Sequence, residues 1–223
     1  VRINCADLEQ IIAADVKVVH PLVDKNVKVS YVVTETSTGK EKKTADVDYV
    51  VKGINEQVTG KNAKPTVIPE IQEWHSNSTE QISVNSLKTV TYTDDKLKTV
   101  VDEFVRDYKD FTGINLTVKK GASQANAFNF ELKAPDTLLG DEGYTMDIQK
   151  DRINVASVHT TGNMYGMQTI LQMYKENNEG YNIGKMRDYP RFKTRGFLFD
   201  VARKPVSLSM MKEVARTMRY YKM

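Results

Sequence analysis

The chain has 223 residues, of which 40% are hydrophobic and 27% are charged, and its formal net charge is +3. This length and composition suit one large domain or two modest ones with a packed core, and they exclude collagen-like, low-complexity and fully disordered chains. The charge is small and its two signs are well mixed, which argues against a nucleic-acid-binding protein.

The cysteine, histidine and hydropathy patterns exclude several kinds of site and a membrane span. Cys5 is the only cysteine, which excludes an intrachain disulfide, a thiolate zinc site and a CxxC redox pair. The histidines are scattered and form no helical metal motif, so we expect neither a metal nor another cofactor. No stretch approaches the ~18 apolar residues of a membrane span, and no N-terminal signal pattern is present.

The first third of the chain has the pattern of β structure. Residues 27–34 alternate and are rich in β-branched types, and Val47, Tyr49 and Val51 repeat the alternation after the polar run 37–43, which predicts a hairpin with a long loop. The polar segment 60–65 begins with Gly and ends with Pro, which predicts a linker. Sixty residues without a disulfide make a marginal core, so the end of a larger β domain is favoured over a separate β module.

A mixed pattern follows from residue 66 onward. Short strands are predicted near 82–84, 90–92, 115–118 and 128–133, and a hairpin over 143–149 and 152–157. The strongest helix signal starts near Thr93 or Asp94 and stops at Gly113; its apolar positions are Leu97, Val100, Val101, Phe104, Val105 and Tyr108. A second helix is predicted over 162–176. This order predicts an α+β layer, a sheet with helices on one face.

The last thirty residues predict one βα unit. Phe197, Leu198, Phe199 and Val201 form an apolar run typical of a strand buried on both faces. An amphipathic helix capped by Ser207 or Ser209 follows. A parallel strand requires a parallel neighbour, and this chain supplies none, so we expect the architecture to continue beyond Met223.

Two motifs carry a family resemblance. Residues 188–203 read Asp-Tyr-Pro-Arg-Phe-Lys-Thr-Arg-Gly-Phe-Leu-Phe-Asp-Val-Ala-Arg. This run closely resembles the opening of the catalytic barrel in family-20 glycoside hydrolases, the β-N-acetylhexosaminidases. Residues 162–172, Gly-Asn-Met-Tyr-Gly-Met-Gln-Thr-Ile-Leu-Gln, resemble a helix of the α+β domain that precedes that barrel, and Val67-Ile68-Pro69 with Trp74 resembles the start of that domain.

The resemblance implies a division of the chain into three parts. Residues 1–64 are a β-rich segment or module, residues 65–187 an α+β accessory domain, and residues 188–223 the first strand and helix of a truncated (β/α)8 barrel. The implied substrate is a glycan with a terminal β-linked N-acetylhexosamine. The implied protein is secreted or on the surface of a bacterial cell, with no nucleic-acid partner and no membrane span.

The family's catalytic Asp-Glu pair follows the first barrel strand, so the resemblance places no catalytic residue in this chain and implies that the chain alone is inactive. Asp141-Glu142 imitates the family's Gly-Asp-Glu signature but precedes the barrel motif. We interpret these two residues as a polar turn that opens a hairpin, with Gly140 and Gly143 as turn residues.

The resemblance also implies a substrate-binding residue, Arg195, whose guanidinium would fork onto hydroxyls of the non-reducing terminal sugar. The structural alternative is an ion pair of Arg195 with Asp200 or Asp188. Asp200 and Arg203 match family positions and have a possible supporting role, although a buried ion pair between strands explains them better. Trp74 is predicted to serve the core or a domain contact more than sugar stacking, and His159 to cap a helix or lie on the surface.

One departure bears on the substrate. Most family members follow the last arginine of the motif with His and an aromatic residue, whereas this chain has Lys204-Pro205-Val206. That change is similar to the lacto-N-biosidase-type branch, which releases a disaccharide. A non-catalytic carbohydrate-binding or spacer module is the remaining alternative.

Overall fold

The described residues form a four-stranded sheet, a seven-stranded sheet, a two-stranded pair and three α-helices. The computed structural model describes residues 1–5, 11–12, 15, 17–133 and 137–223. Its strands are β1 (Arg2–Cys5), β2 (Lys25–Thr34), β3 (Glu41–Lys43), β4 (Val47–Val51), β5 (Glu73–His75), β6 (Gln81–Ser83), β7 (Thr89–Tyr92), β8 (Thr117–Lys120), β9 (Ala127–Leu132), β10 (Tyr144–Ile148), β11 (Arg152–Ser157), β12 (Gly180–Asn182) and β13 (Gly184–Asp188). Its helices are α1 (Lys98–Thr112), α2 (Thr160–Glu176) and α3 (Leu208–Tyr220).

The N-terminal sheet is built around β2, with which β1, β3 and β4 all pair antiparallel. The two predicted alternating strands are confirmed. The polar run 37–43 was expected to be entirely loop, and that was wrong for Glu41–Lys43, which pair with Val32–Thr34 while their side chains stay in solvent. Within the segment 1–64, residues 6–10, 13, 14 and 16 lie outside the described residues.

The larger sheet has the strand order β5-β13-β10-β11-β9-β7-β8. The pairs β11–β9, β9–β7 and β7–β8 are parallel, and β10, β13 and β5 extend the sheet antiparallel. The predicted hairpin is therefore β10–β11. The short strands β6 and β12 form a separate antiparallel pair.

Helices α1 and α2 pack side by side on the apolar face of this sheet, which confirms the α+β class. The buried positions of α1 are Val101, Phe104 and Tyr108, at helical spacing. The Phe104 ring meets Phe128 and Phe130 of β9 edge to face, with centroids 5.5 and 5.4 Å apart. The helix ends where predicted, since Gly113 takes a left-handed conformation with φ +73° and its N–H donates to Lys109.

Glycines let α2 approach the sheet closely. A Cβ on Gly162 would lie 2.2 Å from the backbone oxygen of Gly143 and 2.7 Å from the Ser157 Cβ. A Cβ on Gly166 would lie 2.7 Å from Val155 Cγ1. A side chain at position 162 therefore requires backbone movement.

We expect Gly162→Ala to lower the free energy of unfolding by about 1–3 kcal/mol or more, because overpacking forces the helix away from β10 and β11. Gly196→Ala is the matched control, because a Cβ there meets nothing within 4 Å. Urea denaturation of both variants measures the difference. Equal stability of the two variants would contradict the close approach.

The C-terminal segment departs from the sequence prediction. The helix is confirmed as α3, and Ser207 caps it by accepting the Met210 N–H at 3.2 Å. The strand over Phe197–Val201 was wrong: these residues form no strand, and Leu198 is 93% exposed. The run has the apolar pattern of a buried strand, but a strand needs a neighbour for its backbone hydrogen bonds, and none lies beside it among the described residues.

The charged residues of α3 attach it to the rest of the domain. Arg219 donates to Glu103 at 3.0 Å and to Asp107 at 2.5 Å on α1, and the Tyr220 ring stacks on Phe111.

In the parts of the chain that the structure describes, no helix is both long and apolar enough to cross a membrane.

Candidate functional site

A cavity of about 310 Å³ opens where the chain leaves β13 and where α3 ends. Two polar clusters form its walls, one around Arg195 and one around Lys222. The residues that line it are Pro69, Glu70, Gln72, Glu142, Tyr144, Tyr165, Asp188, Tyr189, Pro190, Arg191, Phe192, Arg195 and Lys222.

Arg195 lies in the first cluster with every guanidinium nitrogen engaged. Its Nη1 and Nη2 both lie 3.1 Å from Glu142 Oε2, and Nη2 also donates to the Tyr165 hydroxyl at 3.2 Å. Its Nη1 donates to the Phe192 carbonyl at 2.6 Å, and its Nε donates to the Lys222 carbonyl at 2.9 Å. A sugar hydroxyl can therefore bind this guanidinium only by replacing one of these acceptors.

The turn before β10 supplies the carboxylate of this cluster. Gly140 has φ +64°, and residues 140–142 form a turn between a short 3-10 helix and β10, so the predicted polar turn is confirmed. The structural alternative for Arg195 named Asp200 or Asp188 as the ion-pair partner, and this was wrong. The partner is Glu142, for which the sequence pattern predicts only a place in the turn.

The same ion pair affects the neighbouring groups. Burial alone would lower the pKa of Arg195, but the hydrogen bond and negative charge of Glu142, followed by Tyr165, raise it above its ordinary value. Burial first, and then the Glu142 charge, raise the pKa of the Tyr165 phenol. Arg195 therefore stays a cation and Tyr165 a neutral hydroxyl throughout the neutral pH range.

Lys222 and Asp188 form the second cluster, which is buried. Lys222 Nζ donates to Asp188 Oδ2 at 2.9 Å and to the Tyr144 oxygen at 3.2 Å. The Tyr144 hydroxyl donates to the same carboxylate at 2.9 Å, and the Gln72 N–H donates to Asp188 Oδ1 at 3.1 Å. The carboxylate is thus satisfied on both oxygens, as a buried charge requires.

A third cluster connects the N-terminal sheet to the larger sheet beside the cavity. Arg187 donates to Glu73 Oε1 at 2.7 Å, and the Leu22 N–H donates to Glu73 Oε2 at 2.9 Å. The Tyr189 hydroxyl donates to Glu73 at 3.3 Å and accepts from Lys25 at 2.5 Å. No sequence pattern indicates this cluster, because Glu73 and Arg187 lie 114 residues apart.

Asp200 and Arg203 lie outside the lining of the cavity. They pair with each other, with Arg203 Nε 2.7 Å from Asp200 Oδ2, and the side chains are 47% and 91% exposed, so the prediction of a buried ion pair between strands was wrong. The strand that was to bury them is not formed. Binding of a sugar by Arg195, and a supporting role of Asp200 and Arg203, stay predictions.

Trp74 and His159 have structural partners. Trp74 packs on the main core, and its indole N–H donates to the Asn62 carbonyl at 3.0 Å, as the preferred interpretation predicted. His159 is the N-cap residue of α2, where its side chain accepts the Thr161 N–H. No group of three metal-ligating side chains occurs in the described part of the chain.

Buried tyrosines give the fold a predictable response to high pH. Burial raises the pKa of Tyr108 to about 12 from an ordinary value of 10.0. Burial first, and then the charge of Asp188, raise the pKa of Tyr144 well above its usual range. Because both folded-state pKa values are raised, this stabilisation is fully present below pH ~10 and is lost as pH rises through the folded-state pKa.

We therefore expect the free energy of unfolding to fall above pH ~10, and Tyr108 alone to account for about 3 kcal/mol of that loss once pH exceeds its folded-state pKa. Tyr108→Phe should remove the contribution of one proton to the slope of the free energy of unfolding against pH above pH ~10. Tyr31→Phe, at an exposed tyrosine, is the control. Urea denaturation at pH values from 8 to 12 measures the slopes, and an unchanged slope in Tyr108→Phe would contradict the assignment.

Comparison with known proteins identifies the domain that carries the cavity. The family described as "Glycosyl hydrolase family 20, domain 2" matches residues 64–189, more than half of the chain. Beta-hexosaminidase subunit alpha of Mus musculus is 28% identical over 138 residues, which cover 55% of this chain and 26% of that protein. Lacto-N-biosidase of Bifidobacterium bifidum is 21% identical over 134 residues, 60% of this chain and 12% of that protein.

A solved structure shares the fold. The N-acetyl-beta-hexosaminidase of Streptomyces plicatus superposes with a TM-score of 0.61 at 21% identity, over 73% of this chain and 34% of that chain. This chain therefore spans about a quarter of the mouse relative and about a third of the Streptomyces protein.

Proposed function

The chain belongs to glycosyl hydrolase family 20, and we propose that it is the N-terminal part of a glycosidase that removes terminal β-linked N-acetylhexosamine from glycans. The observation that carries the proposal is the order of two elements. The family's second domain covers residues 64–189, and the motif 188–203 that resembles the start of its catalytic barrel follows directly. The mouse relative is a beta-hexosaminidase, which supports this substrate class.

We propose the substrate-assisted retaining mechanism for the whole protein. In it the 2-acetamido oxygen of the substrate attacks the anomeric carbon, a carboxylic acid protonates the departing oxygen, and water then opens the intermediate with retention. The two carboxyl groups that this requires would lie in the barrel, outside these 223 residues. Within the chain, Arg195 would donate to hydroxyls of the terminal sugar, with Asp200 and Arg203 in support.

The surroundings of Arg195 support this role. A guanidinium binds hydroxyls through planar donors, and two of the acceptors on its Nη atoms are the Glu142 carboxylate and the Tyr165 oxygen. The bond to the neutral Tyr165 oxygen is weaker than the charge-assisted bond to Glu142, so a sugar hydroxyl would replace the Tyr165 oxygen before the Glu142 carboxylate. The guanidinium would then keep its ion pair while it binds the sugar.

Two alternatives are less well supported. Disaccharide release of the lacto-N-biosidase type rests on Lys204-Pro205-Val206, but the lacto-N-biosidase relative is less similar than the hexosaminidase, at 21% against 28% identity. No specific observation supports the alternative of a non-catalytic carbohydrate-binding module. For an enzyme acting on glycans outside the cell, we propose a secreted or cell-surface location.

The proposal predicts no turnover from the isolated chain. The purified 223-residue chain should not hydrolyse a chromogenic β-N-acetylglucosaminide, because absence of the acid alone removes about 10²–10⁴ in rate. The longer protein that includes the barrel should hydrolyse it and yield the β-anomer first. On a glycan substrate, release of an intact terminal disaccharide with no release of monosaccharide would favour the lacto-N-biosidase type instead.

Glu142→Gln is the informative control for the isolated chain. If the chain turned over substrate and this variant did not, Glu142 would have a catalytic role beyond its place in the turn, which would contradict the proposal. If the chain and the longer protein both lacked activity but bound the sugar, the binding-module alternative would replace the proposal.

A further inference from the structure

Lys222 has an unusual combination of backbone conformation and burial. It follows the last turn of α3 with φ +59°, a left-handed conformation that glycine adopts at little cost and lysine does not. The Lys222 N–H donates to the Arg219 carbonyl at 3.0 Å and the Met223 N–H donates to the Met218 carbonyl at 2.9 Å. This is the Schellman ending of a helix, at the position where glycine is the usual residue.

The side chain at this position is also costly to bury. Lys222 is only 6% exposed, and an ammonium group leaves water favourably only when it is paired. Its partners are the Asp188 carboxylate at 2.9 Å and the Tyr144 oxygen at 3.2 Å. Asp188 ends β13 and Tyr144 begins β10, so the side chain joins the end of α3 to two adjacent strands of the larger sheet.

The backbone of the same residue contacts the candidate site. The Lys222 carbonyl accepts the Arg195 Nε–H at 2.9 Å, and it is the only contact of that nitrogen among those found in the described residues. Nε fixes the plane of the guanidinium, because the two Nη atoms lie in the same rigid plane. The Lys222 carbonyl therefore fixes one edge of the guanidinium, while Glu142, Tyr165 and Phe192 hold the Nη atoms.

We infer that Lys222 is a positioning residue for Arg195: its side chain anchors the end of α3 to Asp188 and Tyr144, and its carbonyl orients the guanidinium. This explains why a lysine occupies a position where helix endings favour glycine, since glycine would supply the turn but not the anchor. The role deepens the proposed function of Arg195 in sugar binding, on which it rests.

The test observes Arg195 directly by NMR in the full 223-residue chain. In the wild-type chain the Arg195 Nε–H should exchange with water more slowly than the Nε–H of the exposed Arg203. In Lys222→Met the carbonyl loses its anchor, so the bond from the Arg195 Nε–H to this carbonyl should weaken. The exchange of that Nε–H should then accelerate about tenfold, as expected for the loss of one hydrogen bond. The buried Arg187 serves as an internal reference whose signal should not change, and Lys212→Met, at an exposed lysine of α3, is the matched control.

A second variant covers the case in which Lys222→Met does not fold, because it leaves the Asp188 charge buried without its ammonium partner. Lys222→Met/Asp188→Asn removes both charges and keeps the shape, and the same acceleration is expected. An Arg195 signal identical to wild type in either folded variant would overturn the inference, as would fast exchange in the wild-type chain. The signal does not depend on hydrolysis, so loss of the proposed enzyme activity and failure of this positioning role are separate results.

Discussion

Replacing Arg187 by methionine is expected to lower the free energy of unfolding by about 3–5 kcal/mol, because it leaves the Glu73 carboxylate charged in a buried site. The side chains of Arg187 and Glu73 are 4% and 2% exposed, and their closest atoms are 2.7 Å apart. Glu73 also accepts the Leu22 N–H, so the same carboxylate attaches the N-terminal sheet. The loss should therefore extend to the contact between the two sheets.

Urea denaturation measures this loss, and Arg203→Met is the matched control. The Arg203–Asp200 pair has the same 2.7 Å separation but is exposed to water, so its removal should change stability by no more than about 0.5 kcal/mol. Arg187→Met/Glu73→Gln should recover part of the loss, since no unpaired charge remains. Equal effects of the two single variants would show that burial does not govern the Arg187 pair.

Replacing Arg195 by lysine is expected to lower kcat/KM of the longer enzyme about ten- to a hundredfold. Lysine supplies one point charge where arginine supplies a planar fork, and charge-assisted hydrogen bonds contribute about 1.5–3 kcal/mol each. The pH profile should keep its shape, because arginine does not titrate in the working range. Steady-state kinetics with a chromogenic β-N-acetylglucosaminide measures the effect.

The ion pair of Arg195 with Glu142 offers a structural explanation for an effect of Arg195→Lys. Thermal unfolding distinguishes this explanation from a role in substrate binding. If Arg195 only holds the turn before β10, Arg195→Lys should lower the Tm and leave kcat/KM of the folded enzyme near wild type. Arg216→Lys, at an exposed arginine of α3, controls for the general effect of the substitution. A thermal loss without a kinetic loss would remove Arg195 from the substrate site.

Local patterns predicted the regular elements of the α+β domain well. The apolar spacing from Leu97 to Tyr108 depends only on helix geometry, and Gly113 ends that helix because the required backbone angle favours glycine. The β10–β11 hairpin could be predicted for the same reason, since its alternation and its turn are local. The strand over Phe197–Val201 was wrong because its apolar pattern is local but its hydrogen-bonding partner is not.

The site was less predictable because its contacts join distant positions. Glu142 and Arg195 lie 53 residues apart, and Asp188 and Lys222 lie 34 apart. Single residues in one sequence show no sign of such pairs, so Glu142 was interpreted from its turn alone. Arg195 was found through the family motif, and nothing in composition or periodicity distinguishes it from the other arginines. A lysine directly after a helical pattern, where glycine is usual, was the one signal that could have indicated Lys222.

The position of β13 in the sheet has a consequence for synthesis on the ribosome. This strand lies between β5 and β10, so residues 73–75 have no strand partner until residues 184–188 have emerged. At about 5–20 residues per second, the 114 residues between Glu73 and Arg187 take roughly 6–23 s to translate. During that time the Glu73 carboxylate remains hydrated, and the N-terminal sheet lacks the contact of Lys25 with Tyr189. The N-terminal sheet is therefore expected to dock on the nascent chain only after the last strand of the larger sheet has been made.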